Sequence, residues 1–183
     1  MNHGLDTDTR VCFYEQDFYV LSNFSAFRVS WTSGDNPWRI KSSGNSFDTA
    51  EHAYQSAKFA PFPDEPSAWD DLVSRRAVWV GVCHASSAHL AFKIAEENKR
   101  YRHPDWDNLK LDVMRGILRA KADQHEYVRR KLLQTEDREL VENSWRDAFW
   151  GWGPNQDGQN MLGNLWMEIR AELRSQTRAT PCL

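Results

Sequence analysis

No run in this chain approaches the roughly 18 consecutive apolar residues that a membrane helix needs, and its opening decapeptide, MNHGLDTDTR, holds no apolar core. Neither a membrane span nor a secretory leader is expected, and the protein is placed in the cytoplasm. Cysteine is scarce: Cys12, Cys83 and Cys182 are odd in number and lack C-x-x-C spacing, which argues against a disulfide framework and a structural zinc site. Neither sign of charge dominates, with 23 Lys and Arg against 26 Asp and Glu, a net charge of −3 and an isoelectric point near 6.1. The basic excess of a dedicated duplex-binding protein is missing. Also missing are a Walker A loop, a G-x-G-x-x-G fingerprint, a G-x-S-x-G elbow and an H-E-x-x-H pair, although His84 and His89 lie close in sequence. Nucleotide hydrolysis, the usual serine hydrolase and metal ligation lose their signatures, so no metal and no cofactor are expected.

What remains is aromatic. Nine of the 183 residues are tryptophan, which supplies buried area and flat surfaces for stacking on a planar ligand. A chain of this length makes one domain, or one with a large insertion. Internal repeats and low-complexity tracts are absent.

Along the chain, RVCFY, FYVL and AFRVSW read as short strands, the last alternating Phe27, Val29 and Trp31 with Arg28 and Ser30. The turn-rich stretch 32–45 suggests a hairpin around WRIK. Asp48 to Glu51 reads as a capping box opening a helix to Phe59, stopped by Pro61 and Pro63. Further helices are expected over Ser67 to Arg76, from Ser86 or Ser87 through AHLAFKIAEENK, from Asp105 through WDNLKLDVMRGILRAKADQH, and in EYVRRKLLQT. ELVEN fits strand or helix. A glycine-rich stretch, Trp150 to Gly163, leads into a final helix striped by Leu162, Leu165, Trp166, Ile169 and Leu173.

Three places could carry chemistry. On the first helix, steps of 100° put Ala50, Ala53, Tyr54 and Ala57 on one face and Glu51, Gln55 and Lys58 on a neighbouring edge. The plain alternative is that Glu51 completes the capping box and Lys58 is solvated. On the long helix, Lys121 falls on the apolar side below Met114, Ile117 and Leu118, where an amine must snorkel, pair with an acid or lose its proton readily. Asp147, Trp150, Trp152 and four glycines precede the last helix, where backbone N–H groups would suit a phosphate; the alternative is a surface loop with inward-packed tryptophans.

The ordered motifs S-N-F (22–24), A-E-H-A-Y-Q-S-A-K-F (50–59), W-D-N-L-K-L-D-V-M-R-G-I-L-R-A-K (106–121) and D-A-F-W-G-W-G-P-N-Q-D-G-Q-N-M-L-G-N-L-W-M-E-I-R (147–170) resemble the NADAR, or YbiA-like, family over about residues 12 to 174. The resemblance implies a compact helix-rich α+β domain with a small N-terminal sheet, set at residues 10–175 with flexible termini at 1–9 and 176–183. It implies an N-glycosidase acting on ribosylated nitrogen compounds. Some members cleave phosphoribosylamino-pyrimidine intermediates of riboflavin biosynthesis, releasing ribose 5-phosphate, and others remove ADP-ribose from guanine bases of nucleic acid. Catalysis then falls to Glu51, Lys58 and Asp147. Substrate binding falls to Asn23, Phe24, Tyr54, Gln55, Trp106, Lys121, Trp150, Gly151 and Asn160. After Trp150-Gly151 some riboflavin-type members carry an acid and glycines where this chain has Trp152-Gly153-Pro154-Asn155-Gln156, which leaves the substrate branch open. A non-catalytic ADP-ribose or nucleotide-binding module ranks second and a tryptophan-rich protein scaffold third, because retention of both acids and both lysines favours catalysis. No obligate protein partner and no membrane contact are implied.

For the chemistry, a ribosyl C1 bonded to nitrogen can open to an imine that an amine of lowered pKa attacks. Lys58 is the favoured nucleophile, Lys121 the binder of the sugar or its phosphate, and Trp106 and Trp150 the stacking surfaces for the base.

Overall fold

A computed structural model describes residues 5–31, 46–60 and 69–179. They group into two compact units, residues 26–124 and residues 1–25 with 125–183, so that one unit is inserted in sequence within the other. Both are helical with one two-stranded sheet each, an α+β architecture. The hairpin expected around WRIK and Cys182 lie outside the described residues. Among those described, no helix is long and apolar enough to cross a membrane.

In the 26–124 unit, β2 (Val29–Ser30) pairs antiparallel with β3 (Ser46–Phe47). The period-two pattern holds, with Val29 and Trp31 buried and Ser30 exposed, but the strand is two residues long. The side chain of Gln124 continues the ladder by accepting from the Ser30 N–H (2.8 Å) and donating to its carbonyl (2.6 Å). Four helices follow: α1 (Ala50–Ala57), α2 (Trp69–Cys83), α3 (Ala88–Glu97) and α4 (Trp106–Gln124). α2 runs past Arg76 because Val78 and Val82 extend its apolar side into a cluster with Phe59, Ala85, Ala91 and Ala95. α3 starts where Ser87 Oγ accepts the Leu90 N–H. Gly116 sits mid-helix in α4 because a Cβ there would stand 2.9 Å from the Trp31 indole nitrogen.

α1 packs against α2, α3 and α4, and all eight of its residues are buried. A helix enclosed on every side ordinarily is apolar on every side. This one carries Glu51, His52, Gln55 and Ser56.

In the other unit, β1 (Arg10–Cys12) pairs in parallel with β4 (Glu139–Val141), resolving ELVEN as strand. The sheet is therefore not wholly N-terminal. FYVL is no strand: Gln16–Leu21 is a 3-10 helix with Phe18 and Leu21 buried, and the i, i+3 spacing of those two residues suits three residues per turn. α5 (Glu126–Gln134) packs on that helix and on α6 (Met161–Ala179). Trp166, fully buried, donates its indole N–H to the Leu21 carbonyl at 2.8 Å. Asp6 Oδ1 accepts the Cys12 N–H at 2.7 Å, and α6 continues past residue 175.

Candidate active site

The capping box is the first expectation to change. Thr49, not Asp48, caps α1, its hydroxyl accepting the His52 N–H. Glu51 is thereby one residue early for the reciprocal bond. Relieved of capping, and only 5% exposed, its carboxylate accepts from Gln55 Nε2 at 2.7 Å. His52 fixes the helix from the other edge: Nε2 meets the Ala85 carbonyl at 3.0 Å and so carries the proton, which leaves Nδ1 to accept from the Thr49 hydroxyl at 2.8 Å.

Lys58 stands at the C-terminal end of α1 with its side chain 12% exposed. Burial lowers the pKa of its ammonium below 10.5, against the raising pull of Glu51 and Glu96 and with the help of the nearby Arg102 and Lys99 charges. Its Nζ lies 3.8 Å from Glu96 and 5.3 Å from the centroid of the Tyr54 ring. Glu96 is shared with Lys99 at 2.5 Å, and Arg102 and Lys110 share Asp107. The Lys99 and Arg102 charges thus stand near an ammonium whose pKa burial lowers.

His103 joins Lys58 to the start of α4. Its N–H donates to the Lys58 carbonyl at 2.8 Å, its own carbonyl accepts the Trp106 N–H, and its Nδ1 accepts from Asp105. Trp106 is 2% exposed and tilted at 57° against Tyr54, with centroids 5.2 Å apart. It forms a wall rather than an open stacking surface, because protein already covers the ring. Lys121 is fully enclosed, its Nζ 5.7 Å from the Phe27 ring. The apolar face of α4 carries it inward with Met114, Ile117 and Leu118.

The glycine-rich loop belongs to the other unit. Asp147 Oδ1 accepts the N–H groups of Phe149 (2.9 Å) and Trp150 (2.8 Å), which orient the carboxylate. The half-buried Trp150 stands edge-to-face with Phe149. No phosphate nest is left open where α6 begins, since the Met161 and Leu162 N–H groups donate to the Phe149 and Trp150 carbonyls. Gly151, Gly158 and Gly163 are glycine because a Cβ would meet backbone, at 2.6, 2.5 and 2.0 Å respectively; their role is close self-packing, not approach to a ligand. Asn160, at φ +50°, uses its amide as a surrogate strand, accepting the Glu142 N–H and donating to the Leu140 carbonyl. Both ends of its amide are thereby engaged with backbone.

A family model described as the NADAR domain matches residues 12–174. This chain belongs to the NADAR family. It is 34% identical over 168 residues to the N-glycosidase YbiA of Shigella boydii, covering 91% of this chain and 89% of that one. It is 36% identical over 138 residues to a riboflavin biosynthesis protein, VVA0006, of Vibrio vulnificus, covering 75% of this chain and 34% of that longer protein. The NMR structure of Escherichia coli YbiA superposes with a TM-score of 0.72 at 30% identity, covering 97% of this chain and 92% of that one.

Within this NADAR chain, one stretch of helix and its neighbours bring together Glu51, Tyr54, Gln55, Lys58 and Trp106. Asn23 (6% exposed) and Phe24 (37% exposed) follow the 3-10 helix in the other unit, with Asp147 and Trp150. Trp152 is buried against Cys12 and Val141 with the Arg10 guanidinium 5.7 Å from its ring, so its departure from the riboflavin-type pattern is absorbed in packing. Sequence reasoning missed Glu96, Arg102 and His103, which reach Lys58 only through tertiary structure; the H-P-D turn before α4 was the one local hint of His103. Among the described residues the two thiols are weak nucleophiles, since burial raises the Cys12 pKa and pushes that of Cys83 up to about 11. Among the described residues, no three His, Cys, Asp or Glu side chains gather as a metal site would.

Proposed function

We propose that this protein is an N-glycosidase that hydrolyses the C1–N bond of a phosphoribosylamino-pyrimidine, releasing ribose 5-phosphate. The observation that carries this reading is the juxtaposition on α1 of a buried amine of lowered pKa, Lys58, with a buried carboxylate, Glu51, held by Gln55. Thr49 caps the helix without Glu51, and a non-catalytic binding module would not need an amine and an acid on one edge.

The ribosylamine ring opens to an imine, and the Lys58 lone pair adds to C1. The Lys58 nitrogen, positively charged after the addition, passes a proton to the Glu51 carboxylate, and the C1–N bond to the heterocycle breaks as that nitrogen takes the electron pair and this proton from Glu51. Water adds to the resulting Schiff base, the Lys58 nitrogen leaves, and the sugar departs as the aldehyde with the amine restored. The Lys99 and Arg102 charges beside Lys58 match the substrate's phosphate. The name of the YbiA relative and that of the Vibrio protein support the activity class and the pyrimidine branch.

The test is to incubate purified protein with a phosphoribosylamino-pyrimidine and, separately, with ADP-ribosylated guanosine, following sugar release. Release of ribose 5-phosphate from the first is expected. Release of ADP-ribose alone would move the protein to the other branch, and release from neither would overturn the reading.

A further inference from the structure

Gln55 is 2% exposed, one turn beyond Glu51 and three residues before Lys58 on the same edge of α1. Its amide orientation is fixed, because the Glu51 carboxylate accepts only and so the Nε2 end must face it, at 2.7 Å. The other end is the informative one: Oε1 is buried and accepts no hydrogen bond from any described residue. Folded proteins pair nearly all such acceptors, and each exception calls for an explanation such as a role in catalysis. Gln55 carries this one between Glu51 and Lys58 in sequence, on the edge of α1 where the glycosidase reading puts the reaction.

We propose that Gln55 is a specificity-determining residue whose Oε1 accepts a hydrogen bond from an N–H or O–H that the substrate carries beside its C1–N bond. Two groups have that chemistry: an exocyclic amine on the heterocycle next to the ribosylamino nitrogen, and the ribose 2-hydroxyl. The assignment rests on the glycosidase reading of the same site. It adds that substrates lacking the donor are rejected, since binding them leaves a buried acceptor unpaired. Sites built around one hydrogen bond reject such analogues by factors of up to about 10⁴.

The experiment measures kcat/KM of the wild type and of Gln55→Met on a phosphoribosylamino-pyrimidine, on the analogue lacking the neighbouring amine, and on the 2-deoxyribosyl analogue. One analogue is expected to lose at least about 100-fold against the parent in the wild type and less than about threefold in the variant; which one it is identifies the donor. Equal losses in both enzymes for both analogues would overturn the proposal. Should Gln55→Met fail to fold, the same three compounds are titrated into wild-type protein carrying ¹³C-glutamine. The Gln55 carbonyl resonance is then expected to move with the parent and not with one of the analogues, and a resonance indifferent to that difference overturns the proposal. If the wild type releases no sugar from the parent, the glycosidase reading has failed, and this titration decides the role of Gln55 by itself.

Discussion

Two stretches of this chain are dense in polar residues and end on opposite sides of the line between structure and chemistry. Along α1, packing on three neighbouring helices supplies the stability, and Glu51, Gln55 and Lys58 are carried inward with ends turned toward one another. In the loop before α6, where no regular ladder exists, backbone and side-chain polar groups are used to hold the loop: Asn160 pairs with β4, the first N–H groups of α6 are taken by loop carbonyls, and glycines permit the close approach. A polar group on a well-packed helix is left over for function. One in an irregular loop is first claimed by the backbone.

The contrast breaks most easily at Lys58. Lys58→Ala is expected to lower kcat/KM by about 10³-fold or more with little change in melting temperature; loss of both together would make the lysine structural. Its pH profile sharpens the point. The folded pKa is depressed, so the term favours the folded state above 10.5 and is lost as pH falls through the folded value, while activity rises with pH along a limb below 10.5. Because Glu96 raises the Lys58 pKa and Arg102 lowers it, Glu96→Gln should move that limb to lower pH and Arg102→Gln to higher pH. Shifts of the same sign in both variants would show that the limb belongs to another group.

Glu51→Gln comes next, with an expected loss of about 10²–10³ in kcat. Its fold should persist, because Thr49 supplies the cap and Gln55 can still donate to the new amide oxygen. In the loop the order reverses. Gly163→Ala places a Cβ 2.0 Å from the Leu140 carbonyl and should cost about 3 kcal/mol of stability, and Asn160→Ala, which strands the Leu140 carbonyl and the Glu142 N–H, about 2 kcal/mol. In both, KM at a temperature where the protein is folded should be unchanged, and a raised KM would return the loop to substrate binding. The smallest effect is Thr49→Ala, about 1 kcal/mol by urea denaturation; no loss there would reinstate Asp48 as the cap.

The sequence alone disclosed what is local and periodic. The stripe of α6, the inward position of Lys121 and the shared edge of Glu51, Gln55 and Lys58 all follow from a 3.6-residue repeat, and the structure has each. It did not disclose pairing across the chain: β1 finds its parallel partner in β4, encoded at the far end, and no pattern in RVC names it. Phe18 and Leu21 satisfy a three-residue repeat as readily as half of a strand, and the capping box was shifted by one because Asp48 and Thr49 are both good caps. Within the site, residue types were legible, while the ions that bias Lys58 were not, because Glu96 and Arg102 belong to other elements.

The central claim is that Lys58 holds the sugar covalently, and borohydride added during turnover tests it most directly by reducing a Schiff base to a stable amine. Peptide mass spectrometry should then find the reduced sugar adduct on the peptide containing Lys58 and on no other lysine. An absence of adduct, with Lys58→Ala turning over normally, would contradict the account and leave direct attack by water, assisted by Glu51, in its place.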